Sequence, residues 1–248
     1  MELYGSALRY DHRCFYIEGR PVWVLAADFD YWRIPVPPGD AKKRKGDSAV
    51  EAWTRMLLQY KSMGFNAVRI RFHWGFHSPR KGVYDFTGNR DINRLLTLCE
   101  ELGVLVIACL GPYIGNDVQG GGYPLWLIQR DHIRLRHVWR LGIKVWDDMF
   151  AAAEGEWYDQ VISMVVGHEV VTKNIRGRGC IILVQLENHL AKRGLLELPL
   201  ALQDETRLLA RMARERVIRA PLLTNDLSWP RDFTYLWVHC KGPRQVPG

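Results

Sequence analysis

Apolar and polar positions recur along this chain with two different periods. From Cys14 to Phe29 (CFYIEGRPVWVLAADF) short apolar runs flank Glu18-Gly19-Arg20-Pro21, which predicts a strand, a tight turn and a second strand from Val22. After the loop YWRIPVPPGDAKKRKGD the period lengthens. Ala49, Trp53, Met56, Leu57, Tyr60 and Met63 recur three or four apart, predicting a helix capped by Ser48, with Glu51 three positions on, and stopped at Gly64. FNAVRIRF then reads as a strand. DINRLLTLCEELG repeats the helical spacing with Asp91 as cap and Gly103 as stop, and VLVIACLG is a continuous apolar strand of the kind covered on both faces. A mixed section (YPLWLIQRD, then Ile133 to Trp146) precedes a helix expected across EWYDQVISMVVGHEVV. GCIILVQLE is the next strand, and LQDETRLLARMARERVIRA the next helix, with Arg207, Arg211, Arg214 and Arg216 at solvated positions. PLLTND and FTYLWVHC are further strands, and KGPRQVPG reads as a frayed tail.

This order of helix–strand units, with no sequence repeat, predicts an α/β architecture. A dinucleotide-binding fold needs a glycine-rich loop tight against the first strand, and VLAADFDYW offers none. A (β/α)8 barrel accounts better for the polar residues at strand ends: Arg71, His73 and Trp74; Gly111, Pro112 and Tyr113; Gln185 to Asn188; Asn225 and Asp226. Core strands are expected near Val22, Phe65, Val104, Cys180, Leu222 and Thr234, about six where a closed barrel has eight. The expectation is one barrel domain over residues 1–240 with a tail at 241–248, completed by two strands from a missing C-terminal part or covered by another chain.

Composition narrows the function classes. A chain of 248 residues with ten Trp, ten Tyr and eight Phe suits a large packed core and a cleft lined with flat rings. The net charge of +7 is largely local, since AKKRKGD alone carries four positive charges and one negative; a solvated loop is expected, not nucleic-acid binding. The five cysteines are scattered without a CxxC, so free thiols are expected, with neither a disulfide framework nor a thiolate metal site. No apolar run reaches 18 residues and the start shows no signal-peptide pattern, so no membrane span is expected and localisation stays open. His73 and His77 lack a third ligand with sensible spacing, and the Gly120–Gly122 run lacks the Lys-Ser/Thr of a phosphate loop. No metal or cofactor is expected.

Four ordered segments carry a resemblance: YWRIPVP (Tyr31 to Pro37), KSMGFNAVRIRFHWGFHSPRKGVYDFTGNRDI (Lys61 to Ile92), GPYIGNDVQGGGYPLWL (Gly111 to Leu127) and GCIILVQLEN (Gly179 to Asn188), with PLLTND as a weaker fifth. In order and spacing the chain resembles the catalytic barrel of the family 35 glycoside hydrolases, the β-galactosidase family. The resemblance implies a (β/α)8 barrel that removes terminal galactose from β-galactosides with retention and without a metal. Retaining chemistry uses two carboxyl groups about 5 Å apart, one an acid/base and one a nucleophile. In the family the acid/base follows the asparagine at the end of the fourth strand. The nucleophile lies late in the barrel, at a place that falls after Gly248.

The resemblance also locates departures. His189 stands at the acid/base position, and Glu187 matches the earlier, non-proton-donating glutamate of the motif. If the strand stayed regular, Glu187 would share a face with His189 and become a substitute candidate. Ser78 replaces a family glutamate, Asp30 a histidine, and Cys109 an arginine; Asp117 replaces a sugar-holding glutamate, one methylene shorter. Tyr31, Tyr113, Asp117 and Asn188 are the implied substrate-binding residues. The retained Trp74, Pro79, Gly82, Phe86, Gly121, Gly122, Pro124 and Trp126 set turns and wall packing, whereas the altered positions supply charge and hydrogen bonds to a sugar.

The expectation is therefore a family-35-like barrel, divergent and C-terminally incomplete, impaired in hydrolysis as this chain. The alternatives are an active retaining β-glycosidase completed by another segment or chain, a carbohydrate-binding or structural relative, and a basic protein recruited to an anionic assembly. The partners implied are a β-galactoside or other glycan, if the pocket survives, and a protein or second segment completing the barrel.

Overall fold

A computed structural model of the chain describes residues 3–4, 8–11, 14–36, 47–115, 117–129, 137–140, 143–171, 179–188 and 199–224. The N-terminal part is an antiparallel sheet of β1 (Leu3–Tyr4), β2 (Leu8–Tyr10), β3 (Phe15–Ile17) and β4 (Arg20–Val22) in sequential order. The β3–β4 turn is centred on Glu18 and Gly19, both at positive φ (50° and 77°), the two-residue geometry whose twist matches a hairpin.

The second sheet is formed by β5 (Ala26–Asp28), β6 (Ala67–Arg71), β7 (Leu105–Gly111), β10 (Ile181–Leu186) and β11 (Leu222–Leu223), every neighbouring pair parallel. Between them run α1 (Asp47–Ser62), α2 (Trp74–His77), α3 (Ile92–Leu102), α4 (Leu125–Ile128), α5 (Asp148–Val166) and α6 (Pro199–Glu215). A separate hairpin pairs β8 (His137–Arg140) with β9 (Ile143–Trp146). Each parallel strand lies beside the one before it in the chain, so the winding never reverses. A doubly wound sheet has a point where strand order turns back; these five strands have none. The fold is α/β with sequential parallel winding, the sense in which a barrel is built.

Alternation along the strands separates two cores. Val68 and Ile70 of β6 and Val106, Ala108 and Leu110 of β7 face the helices, packing with Trp53, Leu57, Leu95, Trp157, Val161 and Leu209. On the other face Leu105 and Ile107 meet Leu183, Leu223, Leu8 and Phe15, so the antiparallel sheet covers that side. Arg69 and Arg71 alternate with Val68 and Ile70, and by the same geometry they project from the face opposite the helices.

Several boundaries differ from the sequence expectation. The segment at Val22 belongs to the antiparallel sheet, and the first parallel strand starts at Ala26, because Trp23 to Leu25 turn the chain between the two. Helix α1 already includes Asp47, so Ser48 lies within it and is not its cap. Helix α5 begins eight residues before Glu156, at Asp148, because Asp147 accepts a hydrogen bond from the Phe150 amide at 2.8 Å and starts the helix there. Asp91 and Gly103 hold the predicted roles at α3: Asp91 accepts from the Arg94 amide, and Gly103 adopts φ 64°. The expected strand at Thr234, the tail at 241–248 and the basic loop AKKRKG lie outside the described residues. Cys14, Cys99, Cys109 and Cys180 are free thiols, and burial pushes Cys99 and Cys109 up to about 12. No helix among the described residues is long and apolar enough to cross a membrane.

Candidate functional site

The C-terminal ends of β5, β6, β7 and β10 bring together the polar residues that interrupt the apolar strands. Beyond β5, a short 3-10 turn over Tyr31–Arg33 follows Asp30. Arg71 closes β6, and Gly111 closes β7 before Pro112 and Tyr113. Gln185 sits in β10, with Glu187 and Asn188 just after it.

Arg71 is the hub. Its guanidinium is only 5% exposed and lies between two carboxylates. Nε donates to Asp30 Oδ1 at 2.9 Å and Nη2 to Asp30 Oδ2. Nη1 donates to Asp117 Oδ1 at 2.8 Å and Nη2 to Asp117 Oδ2 at 2.9 Å. Nη1 also donates to the Ile114 carbonyl at 3.0 Å. These are paired, fork-shaped contacts on both sides, the strong geometry for arginine and carboxylate. Hydrogen bonds from Arg71 hold the Asp117 carboxyl below the usual range, and the two carboxylates raise the arginine further despite its burial. Arg33 straps the rim by donating to the Asp117 carbonyl at 2.9 Å and its Oδ2 at 3.1 Å. Trp32 lies alongside, with the Arg33 guanidinium 4.5 Å from its ring centroid.

Asn188 joins the same knot. Its Nδ2 donates to the Ile114 carbonyl at 2.8 Å, the acceptor that Arg71 also uses. Its Oδ1 accepts from Arg69 Nη1 and Gln185 Nε2, both at 3.3 Å. Arg69 in turn pairs with Asp28, directly opposite it in the parallel register. Gly115 passes so close that a Cβ there would lie 2.6 Å from Asp117 Oδ1, 3.0 Å from Asn188 Nδ2 and 3.2 Å from Arg71 Nη1. Those three groups therefore surround one small volume.

Of the residues expected to bind substrate, Asp117 is at the rim with its side chain 54% exposed, and Asn188 is buried. Tyr31 and Tyr113 are buried completely enough to be part of the wall. Tyr31 accepts from the His73 amide and donates to His77 Nε2 at 2.6 Å. Glu187 is fully buried at φ 38°, and its Oε1 accepts from the Tyr113 amide at 2.9 Å. The strand ends at Leu186, so the regular alternation that would align Glu187 with the residue two positions on is broken at Glu187 itself. His189, Asn225 and Asp226 lie outside the described residues.

Burial lowers His73 and His77 to about 4 each, and neither has the free geometry of a zinc ligand. His73 Nδ1 accepts from the Phe76 amide, capping α2, and His77 Nδ1 faces the Asp85 carbonyl. Gly120, Gly121 and Gly122 all take positive φ, turning the loop beneath Tyr113 as expected.

Among the described residues, two clusters have enough donor atoms within 4.8 Å of one another to suit a metal: the buried Glu154, Glu187 and Glu205, and Glu100, His168 and Cys180, of which Glu100 is half-buried. In the second, His168 is taken up by Glu100 at 2.8 Å and Asn93 at 3.0 Å, an internal pairing between the turn after α5 and α3. Sequence reasoning missed Glu154 and Glu205, which come from two helices far apart in the chain. The signal for the first was a lone acid in the apolar run AAAEGEW. It also gave Arg71 no role beyond a strand-end polar residue. The signal there was two arginines alternating in an apolar strand, VRIRF.

Comparison with known proteins supplies the lineage. The sequence model for glycosyl hydrolases family 35 matches residues 14–233. The chain is 29% identical over 241 residues to the probable β-galactosidase B of Penicillium rubens, covering 93% of this chain and 21% of that protein. It is 30% identical over 241 residues to the probable β-galactosidase B of Talaromyces marneffei, with the same coverage of 93% and 21%. It thus spans about a fifth of the length of these relatives. Among solved structures, the exo-β-1,4-mannosidase Op5Man5 from Opitutaceae bacterium strain TAV5 superposes with a TM-score of 0.57 at 18% identity. That match covers 90% of this chain and 34% of the mannosidase, a likeness of fold. The family match over most of the chain, on a sheet wound as a barrel is wound, places it plainly: the chain belongs to glycosyl hydrolases family 35.

Proposed function

We propose that this chain is a β-galactosidase-like barrel segment in which the proton-transfer step of glycoside hydrolysis has been lost, so that alone it does not turn over β-galactosides. One observation carries the reading: Asp117 and Asn188, two of the four positions implied to hold the sugar, are engaged by Arg71, Arg69, Gln185 and the Ile114 carbonyl. His189 at the acid/base position supports it, since removing a positioned general acid costs about 10²–10⁴-fold in rate. A histidine is also neutral or cationic where the base step of retention uses a carboxylate. Glu187 is a poor substitute, because its carboxylate is buried and accepts from the Tyr113 amide. The sequential parallel winding supports reading the fold as part of a (β/α)8 barrel.

The test is hydrolysis of aryl β-galactosides, and of a panel of other aryl glycosides, by the purified chain and by His189→Glu. No turnover above the buffer rate is expected for the wild-type chain. Wild-type turnover that disappears in Glu187→Ala or His189→Ala would overturn the reading.

A further inference from the structure

Arginine has five N–H donors, and at Arg71 each of the five meets its own acceptor. Nε–H goes to Asp30 Oδ1, the Nη1 pair to Asp117 Oδ1 and the Ile114 carbonyl, and the Nη2 pair to Asp30 Oδ2 and Asp117 Oδ2. No donor remains for a ligand. Both oxygens of Asp30 and both of Asp117 face this one guanidinium, and Arg33 adds a second cation to each aspartate. The arrangement ties together the turn after β5, the end of β6 and the loop after β7, and it grades from a buried end at Arg71 to a rim at Asp117.

We propose that Arg71 is the specificity-determining residue of this mouth, an internal occupant whose guanidinium takes the contacts that a sugar's hydroxyl groups would otherwise make. The proposal rests on the reading that the mouth descends from a sugar site. A neutral glycoside offers hydroxyl groups to Asp117 and Asn188. It would have to displace charge-assisted, paired bonds from a cation already in place, and it carries no positive charge with which to repay the two carboxylates. Gly115 sharpens the point. A Cβ there would clash with Asp117 Oδ1 at 2.6 Å and press on Asn188 Nδ2 and Arg71 Nη1 at 3.0 and 3.2 Å, so the loop backbone packs closely against these three groups. The mouth is thus closed to neutral hexosides by a side chain, and withdrawing that side chain reopens it.

The experiment compares methyl β-D-galactoside binding by the wild-type chain, by Arg71→Ala/Asp30→Asn and by Arg71→Lys, using calorimetry and amide NMR, with circular dichroism to verify folding. The double variant removes the occupant together with the charge of the largely buried Asp30 carboxylate, which would otherwise keep only Arg33 as a cation. It is expected to bind at least about tenfold more tightly than wild type, while Arg71→Lys, which keeps the charge but gives up the fork, stays close to wild type. Guanidinium ion, with sodium chloride as control, is expected to raise the melting temperature of Arg71→Ala and to compete with the glycoside in the double variant.

Wild-type binding as tight as the variant's would overturn the proposal and leave the sugar-site reading standing. Guanidinium rescue without any glycoside binding by a folded variant would overturn both. Where neither variant folds, the wild-type chain still decides. The Arg71 Nε–H resonance stays in place on titration if the guanidinium is a fixed occupant; a saturable shift of that signal overturns the proposal.

Discussion

Protonation of one buried histidine should set much of the acid sensitivity of this fold. His77 is fully buried, stacked on Phe86 with ring centroids 4.7 Å apart. Its Nδ1 lies 2.9 Å from the Asp85 carbonyl, which can only accept, so Nδ1 carries the proton. Nε2 is then the acceptor for the Tyr31 hydroxyl at 2.6 Å, while that hydroxyl oxygen accepts from the His73 amide. A second proton on the ring would abolish the Tyr31 bond and place a cation in an aromatic wall. Burial accordingly lowers His77 from 6.5 to about 4. The unfolded chain therefore binds more protons than the folded one between about 4 and 6.5. Stability from this group is fully present above 6.5 and is lost as pH falls toward about 4. At 1.36 kcal/mol per pH unit, the fall from 6.5 to about 4 is worth about 3 kcal/mol, a large share of a typical domain's margin. Urea denaturation at steps between pH 4.5 and 7.5 should show wild-type stability falling more steeply with acid than that of His77→Gln. The difference in slope should approach about 1.4 kcal/mol per pH unit. His73, lowered to about 4 by burial, acts in the same direction and leaves a residual slope in the variant. Equal slopes in the two proteins, or an NMR titration of the His77 ring centred near 6.5, would rule this account out.

Substitutions at two positions probe the frame, one beside the mouth and one at the opposite end of the parallel sheet. Gly121→Ala should destabilise the chain by about 2–5 kcal/mol in thermal or urea melts, because a Cβ would meet the Tyr113 ring at 2.2 Å on a backbone at φ 69°. Glu169→Ala should cost about 2–5 kcal/mol, since fully buried Glu169 accepts from the Arg219 and Ala220 amides entering β11. Glu169→Gln, which keeps an acceptor oxygen, should cost far less. Burial raises the Glu169 carboxyl above its ordinary value, so its contribution falls as pH rises from 4.5. Replacing it with Gln should therefore flatten the loss on the alkaline side of that window.

Local chemistry is why much of this was readable beforehand. Asp91 and Gly103 bound α3 because a carboxylate satisfies the first free amides and a glycine accepts the left-handed exit. These are rules acting within four residues. The run VLVIACLG is a strand buried on both faces because its apolar residues leave neither face for water. Boundaries failed where two signals overlapped, as at Val22 to Ala26, where one apolar run serves two sheets.

Residue order alone was thus enough for the winding of helix and strand, the family, and three of the strand ends at which polar residues collect, those at Arg71, Gly111 and Gln185 to Asn188. What those residues do to one another came from packing in three dimensions. Asp30, Arg71 and Asp117 are separated by 41 and 46 positions, and no local period links them. Parallel pairing of β5, β6 and β7 sets their ends side by side, and the loop through Gly115 then brings Asp117 and Asn188 against one guanidinium. Taken singly, Asp117 and Asn188 sit where the family resemblance implies sugar ligands; assembled around Arg71, their polar groups are met by the protein itself. Which partner a polar group takes depends on the neighbours the fold brings within hydrogen-bond reach, and that information is long-range.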